Sequence, residues 1–83
     1  MKVQKDLRIS EHDDGAAILD VRAGEMYSTN GVGARILALL GENLSLDAIT
    51  ERISAEFEAP PERVRGDVEA FVADLQARKL LQS

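Results

Sequence analysis

At Asn30 the spacing of apolar residues changes from about two to about 3.6, and this switch constrains what the 83-residue chain can fold into. Upstream, Val3, Leu7 and Ile9 fall at odd positions until the polar run Glu11-His12-Asp13-Asp14-Gly15 breaks the alternation, a strand followed by a turn. Ala16-Ala17-Ile18-Leu19-Asp20-Val21 is apolar enough for a half or fully buried second strand. Arg22-Ala23-Gly24 then supplies a glycine suited to the positive φ of a tight hairpin. Glu25-Met26-Tyr27-Ser28-Thr29 makes a third strand. The expectation is a three-stranded antiparallel meander, with the register of such short strands left open.

Downstream, Asn30 is suited to cap a helix whose apolar face carries Val32, Ile36, Leu37, Leu39 and Leu40, with Gly41 as its stop. Ser45 caps a second helix, in which Asp47 favours the first turn and Leu46, Ile49, Ile53 and Phe57 form one stripe. Ala59-Pro60-Pro61 breaks the chain, because a residue before proline is pushed out of the helical region. Pro61 opens a third helix with the stripe Val64, Val68, Phe71, Val72 and Leu75. Arg78 and Lys79 stand near its negative end, and Leu80 and Leu81 close the core behind it. Strands first and helices after is an α+β order, since no helix alternates with strands as a βαβ unit demands. So short a chain builds one core, so residues 1–83 are expected to form one domain.

Composition removes several function classes. With no cysteine, the chain can form no disulfide framework, thiolate metal site or cysteine nucleophile. The longest apolar run, Ile36 to Leu40, falls far short of the roughly 20 residues that span a bilayer. The start, Met1-Lys2-Val3-Gln4-Lys5-Asp6, has no signal-like apolar core, and a cytoplasmic location is expected. Fifteen acids against ten bases leave a charge of −5, which opposes the basic footprint of nucleic-acid binding. The one histidine, His12, sits in an acidic turn, where adjacent residues rarely converge on one ion. Asn30-Gly31-Val32-Gly33 resembles a phosphate loop but lacks its lysine–hydroxyl pair. No catalytic residue, metal or cofactor is therefore expected.

What remains is shape. A third strand that feeds directly into a helix lies at a sheet edge, where free N–H and C=O groups can take up an extended peptide. Met26 and Tyr27 would project from opposite faces of that strand.

A resemblance sharpens this reading. Asp20 and the turn glycine Gly24, the aromatic Tyr27, then Asn30, Gly33, Ala34 and Ile36, and late in the chain Asp67, Val68, Phe71 and Leu75 occur in the order and spacing of the PqqD-like family. The likeness covers nearly the whole chain. It implies a winged helix-turn-helix-like domain of three strands and three helices that recognises precursor peptides. It also implies that a leader peptide pairs antiparallel with the third strand, in a groove walled by the third helix. The strand wall would then be Glu25, Met26, Tyr27, Ser28 and Thr29, and the helix wall Arg63, Val64, Asp67, Val68, Phe71 and Val72. Apolar anchors of the leader would enter between Met26 or Ser28 and Val64 or Val68, with Asp67 selecting polar groups.

Within the family the chain most resembles the free-standing adaptor of lasso-peptide biosynthesis, which delivers its precursor to a leader peptidase that works with an ATP-dependent cyclase. The alternative is the pyrroloquinoline-quinone-pathway adaptor, which serves a radical-SAM enzyme. Ser28-Thr29 departs from the small or apolar residue followed by leucine that relatives carry, and Leu37 replaces a frequent tryptophan. The expected partners are thus a precursor leader peptide and a leader peptidase or other modifying enzyme, with no nucleic acid and no membrane. The adaptor would be a monomer or, through its open edge, a weak dimer. A winged-helix DNA-binding protein is the rival from another class, but Glu62, Asp67, Glu69 and Asp74 interrupt any basic face on the third helix.

Overall fold

The computed structural model describes residues 2–82; Met1 and Ser83, the ends of the expected 1–83 domain, lie outside the described residues. The strands are β1 (Lys2–Val3), β2 (Leu7–His12), β3 (Gly15–Asp20), β4 (Glu25–Asn30) and β5 (Leu81–Gln82). Three helices, α1 (Gly31–Gly41), α2 (Leu46–Phe57) and α3 (Pro61–Ala77), follow β4. The α+β order read from the change of period is the order found.

The three-stranded sheet runs β2-β3-β4, antiparallel throughout, with Leu7 opposite Asp20, Ile9 opposite Ile18, Ile18 opposite Tyr27, and Ala16 opposite Thr29. Because side chains alternate across a strand, this register puts Leu7, Ala16, Ile18, Tyr27 and Thr29 on the helix-facing side. Leu7, Ala16 and Ile18 are buried there. The opposite face carries Arg8, Ala17, Leu19, Met26 and Ser28. The expected first strand divides in two. Val3 belongs to β1, which pairs with β5 at the far end of the chain in a second, two-stranded sheet, while Ile9 in β2 is 44% exposed. Sequence spacing alone could not separate these two roles, because both are satisfied by one odd-numbered apolar pattern.

The helix boundaries follow their capping chemistry. The Asn30 side chain accepts from the Gly33 N–H at 2.8 Å, and the Ser45 hydroxyl accepts from the Ala48 N–H at 3.1 Å, each satisfying one of the donors a helix start leaves unpaired. Pro61 occupies the first turn of α3, where its missing N–H costs nothing. Glu58 ends α2 in the left-handed conformation. The core gathers Ile36, Leu37, Leu39 and Leu40 of α1, Ile49 and Ile53 of α2, and Val64, Val68, Val72 and Leu75 of α3; Leu80 and Leu81 seal its end. Truncating a fully buried member such as Ile49 to alanine costs about 2–5 kcal/mol. Among the described residues, no helix is long and apolar enough to cross a membrane.

Candidate binding groove

β4 is the outer strand of its sheet, so one side of its backbone pairs with β3 and the other is without a strand partner among the described residues. Tyr27 and Thr29 point to the helix side, both half-buried, while Met26, 69% exposed, and Ser28 point away from α3. The strand's contribution to any groove against α3 is therefore made by Glu25, Tyr27 and Thr29. Met26 and Ser28 lie on the far face, so the sequence-based pairing of these two with Val64 or Val68 is not the arrangement found. The parity of the register decides this, and register was what the sequence left open.

The opposite wall is one face of α3. Arg63, Asp67, Ala70, Phe71 and Asp74 line an open concavity of about 500 Å³ whose other side is Asn30, Val32 and Gly33, at the junction of β4 with α1. Val64 and Val68, one helical step round from that face, are buried; with Val32, Ile53 and Phe57 they form a smaller pit of about 170 Å³, rimmed by Arg63 and Asp67. Val72 is turned into the core and lines neither concavity. Of the expected residues, Arg63, Val64, Asp67, Val68 and Phe71 of the helix line the two hollows; Thr29 stands beside Gly33 at their strand end, and Glu25 and Tyr27 lie farther along β4, outside both hollows. Ala70, Asp74 and Arg78 were not anticipated. They follow Asp67 at three, seven and eleven residues, the repeat that marks one helical face, so the spacing signal was present.

Close packing sets the position of this wall. A Cβ on Gly33 would stand 1.8 Å from Thr29 Oγ1 and 2.9 Å from Phe71 Cε1, so α1 comes this near to β4 and α3 because position 33 has no side chain.

At the other end the groove is spanned. The Arg78 guanidinium lies over the Tyr27 ring, 4.8 Å from its centroid, and its Nε donates to Asp74 at 3.0 Å, so α3 reaches across to the strand. The Tyr27 hydroxyl donates to Glu25. That hydrogen bond holds the Tyr27 phenol above its ordinary range; desolvation and the Glu25 charge push the same way, and Arg78 pulls against them. Beyond this bridge opens a polar bay of about 600 Å³ between the β3–β4 turn and the end of α3. The side chains of Asp67 and Arg63 make no hydrogen bond or ion pair among the described residues. Among the described residues, no group of three or more histidines or acids could hold a metal ion. An open strand edge, two partly apolar hollows and unengaged charges on the facing helix suit an extended peptide with alternating side chains.

Comparison with known proteins accords with this geometry. The family model described as "Coenzyme PQQ synthesis protein D (PqqD)" matches residues 15–81. The solved structure "TbiB1 in Complex with the TbiA(beta) Leader Peptide" is similar at a TM-score of 0.91 and 28% identity, over 100% of this chain and 96% of that one. "Lasso peptide synthetase B1 complexed with the leader peptide" is similar in fold, at a TM-score of 0.82 and 23% identity, over 93% of this chain and 91% of that one. No curated protein matches.

Proposed function

The chain belongs to the PqqD family, and from that premise we propose that it is a non-catalytic adaptor that binds the leader segment of a ribosomally made precursor peptide by strand addition to β4. The observation that carries the reading is the unpaired edge of β4 facing α3 across a groove of one strand's character: backbone on one wall, alternating hollows and charges on the other. Main-chain pairing supplies register and affinity, and the side-chain hollows supply specificity. An antiparallel guest would run from the α1 end of the groove toward the Arg78 bridge. Its apolar side chains would enter the Val32–Phe71 concavity and the Phe57 pit, and Asp67 would select a polar or basic group. The likeness to TbiB1, solved in complex with a leader peptide, supports a leader peptide as the guest.

The enzyme we assign to the loaded adaptor is a leader peptidase of lasso-peptide biosynthesis, on the strength of the sequence's resemblance to the free-standing adaptor of that pathway. The family description supports a second reading, service to the peptide-modifying enzyme of a pyrroloquinoline-quinone-type pathway.

Fluorescence-polarisation titration with a labelled leader from the precursor encoded beside the chain tests the binding. Saturation by the native leader and not by its scrambled version is expected; no saturation at tens of micromolar (about −6 kcal/mol) refutes it. Adding the purified peptidase or the radical-SAM enzyme, each with the whole precursor, separates the two readings by which activity the adaptor raises.

A further inference from the structure

The bay beyond the Arg78 bridge is not used by the strand-addition site, yet it lies on the same line. α3 runs antiparallel to β4, so that Phe71 stands near Gly33, at the strand's end, and Arg78 lies over Tyr27 toward the strand's start. A guest paired antiparallel with β4 therefore leaves the groove past Tyr27 and Glu25 with its C-terminal continuation, and the bay is lined by both of these residues.

The bay's two carboxylates and one of its glutamines are already engaged. Asp20, 5% exposed, accepts from the Ala23 N–H at 3.2 Å and is held in the β3–β4 turn; Glu25 accepts from the Tyr27 hydroxyl; the Gln4 side-chain oxygen accepts from the Asp6 N–H at 2.9 Å. Its donors are not. The Lys79 ammonium makes no ion pair or hydrogen bond among the described residues, and the Arg22 guanidinium reaches only Asp6, at 4.0 Å, with 70% of its side chain exposed. In a chain of net charge −5, three of the ten bases line this one hollow. We infer that the bay is a second subsite, in which Arg22 and Lys79 receive a carboxylate side chain of the leader, a few residues C-terminal to the segment paired with β4. This rests on the strand-addition reading and adds to it a chemical class and a position. Each solvent-exposed charge-assisted contact of this kind is expected to contribute about two- to fivefold in affinity.

The test uses the intact chain, two labelled synthetic peptides (the whole leader and the same leader cut just after its strand-pairing segment) and the variant R22E/K79E. Both substituted residues are exposed, and circular dichroism checks the fold. The whole leader should bind the native chain about five- to tenfold more tightly than the cut one. The advantage should vanish in R22E/K79E and with rising salt, and replacing the leader's downstream acids by lysine should restore tight binding to the variant. Equal affinity of the two peptides for the native chain, or unchanged affinity of the whole leader for R22E/K79E, overturns the subsite and leaves strand addition standing. Failure of both peptides to bind the native chain overturns strand addition itself and the subsite with it.

Discussion

Gly15→Ala is the most informative single substitution in the sheet. A Cβ built at Gly15 would lie 1.8 Å from the Thr29 carbonyl oxygen, 2.9 Å from its carbon and 3.2 Å from the Asn30 carbon, all backbone atoms of β4. The carbonyl cannot rotate aside as a side chain could. To reach even the 3.0 Å below which real Cβ contacts are essentially never seen, β4 must move away from β3 by about 1.2 Å. A shift of that size breaks one or two ladder bonds around the Gly15–Asn30 pair, at about 1 kcal/mol each, and adds the strain of an overfilled site, about 1–2 kcal/mol. The expected loss is about 2–4 kcal/mol, from a total that for a domain of this length is on the order of 4–12 kcal/mol. At roughly 4–8 °C per kcal/mol, the melting temperature falls by about 8–32 °C. Urea unfolding followed by circular dichroism reads the change directly. Gly41→Ala is the control, since nothing lies within 4 Å of its would-be Cβ; it should stay within about 0.5 kcal/mol of the native chain. If Gly15→Ala also stays within about 0.5 kcal/mol, the close approach of β3 to β4 argued above is wrong. Where the variant still folds, leader affinity should fall as well, because the displaced residues are the end of the binding edge.

Asn30→Ala removes the acceptor that caps α1 and should cost about 1 kcal/mol in the same unfolding assay, with Asn30→Asp nearly neutral. Asp67→Ala should weaken leader binding several-fold in a polarisation titration while leaving the melting curve unchanged; unaltered affinity removes Asp67 from the site. Tyr27 is the only tyrosine and the chain has no tryptophan, so its ionisation can be followed by ultraviolet absorbance alone. The midpoint should lie above 10, and Glu25→Gln should bring it down while Arg78→Ala should raise it further. Since folding favours the protonated phenol, the small stabilisation it lends is complete below pH 10 and disappears as pH rises through the folded-state midpoint. A midpoint at or below 10 in the native chain contradicts the hydrogen bond to Glu25.

The parts of this fold legible in the sequence are those written in local chemistry. Asn30 and Ser45 cap where their side-chain oxygens said they would, Pro61 opens its helix, and the stripe Val64, Val68, Val72 and Leu75 is buried. The parts not legible are relations between distant segments. Nothing near Val3 announces that it pairs with Leu81 rather than continuing the strand that holds Leu7. Nothing in the run Glu25–Thr29 says which parity faces α3. Both Met26 and Tyr27 are plausible inward residues, and only the cross-strand partners of Tyr27, buried Ile18 above all, settle it. The helix wall was half legible for a related reason. The apolar stripe marks the face that enters the core, whereas the groove uses the adjoining face, where Arg63, Asp67, Asp74 and Arg78 look like an ordinary solvated surface.

The short β1–β5 pairing brings Lys2 opposite Gln82, so the two described ends of the chain stand about 5 Å apart. Gln4 and Gln82 also border the bay at the downstream mouth of the groove. A tether grafted to either end would start from the same spot, beside the place where the proposed antiparallel guest would emerge. An enzyme attached by a few flexible residues at the head or the tail would thus meet the proposed guest at high local concentration, whichever end is used.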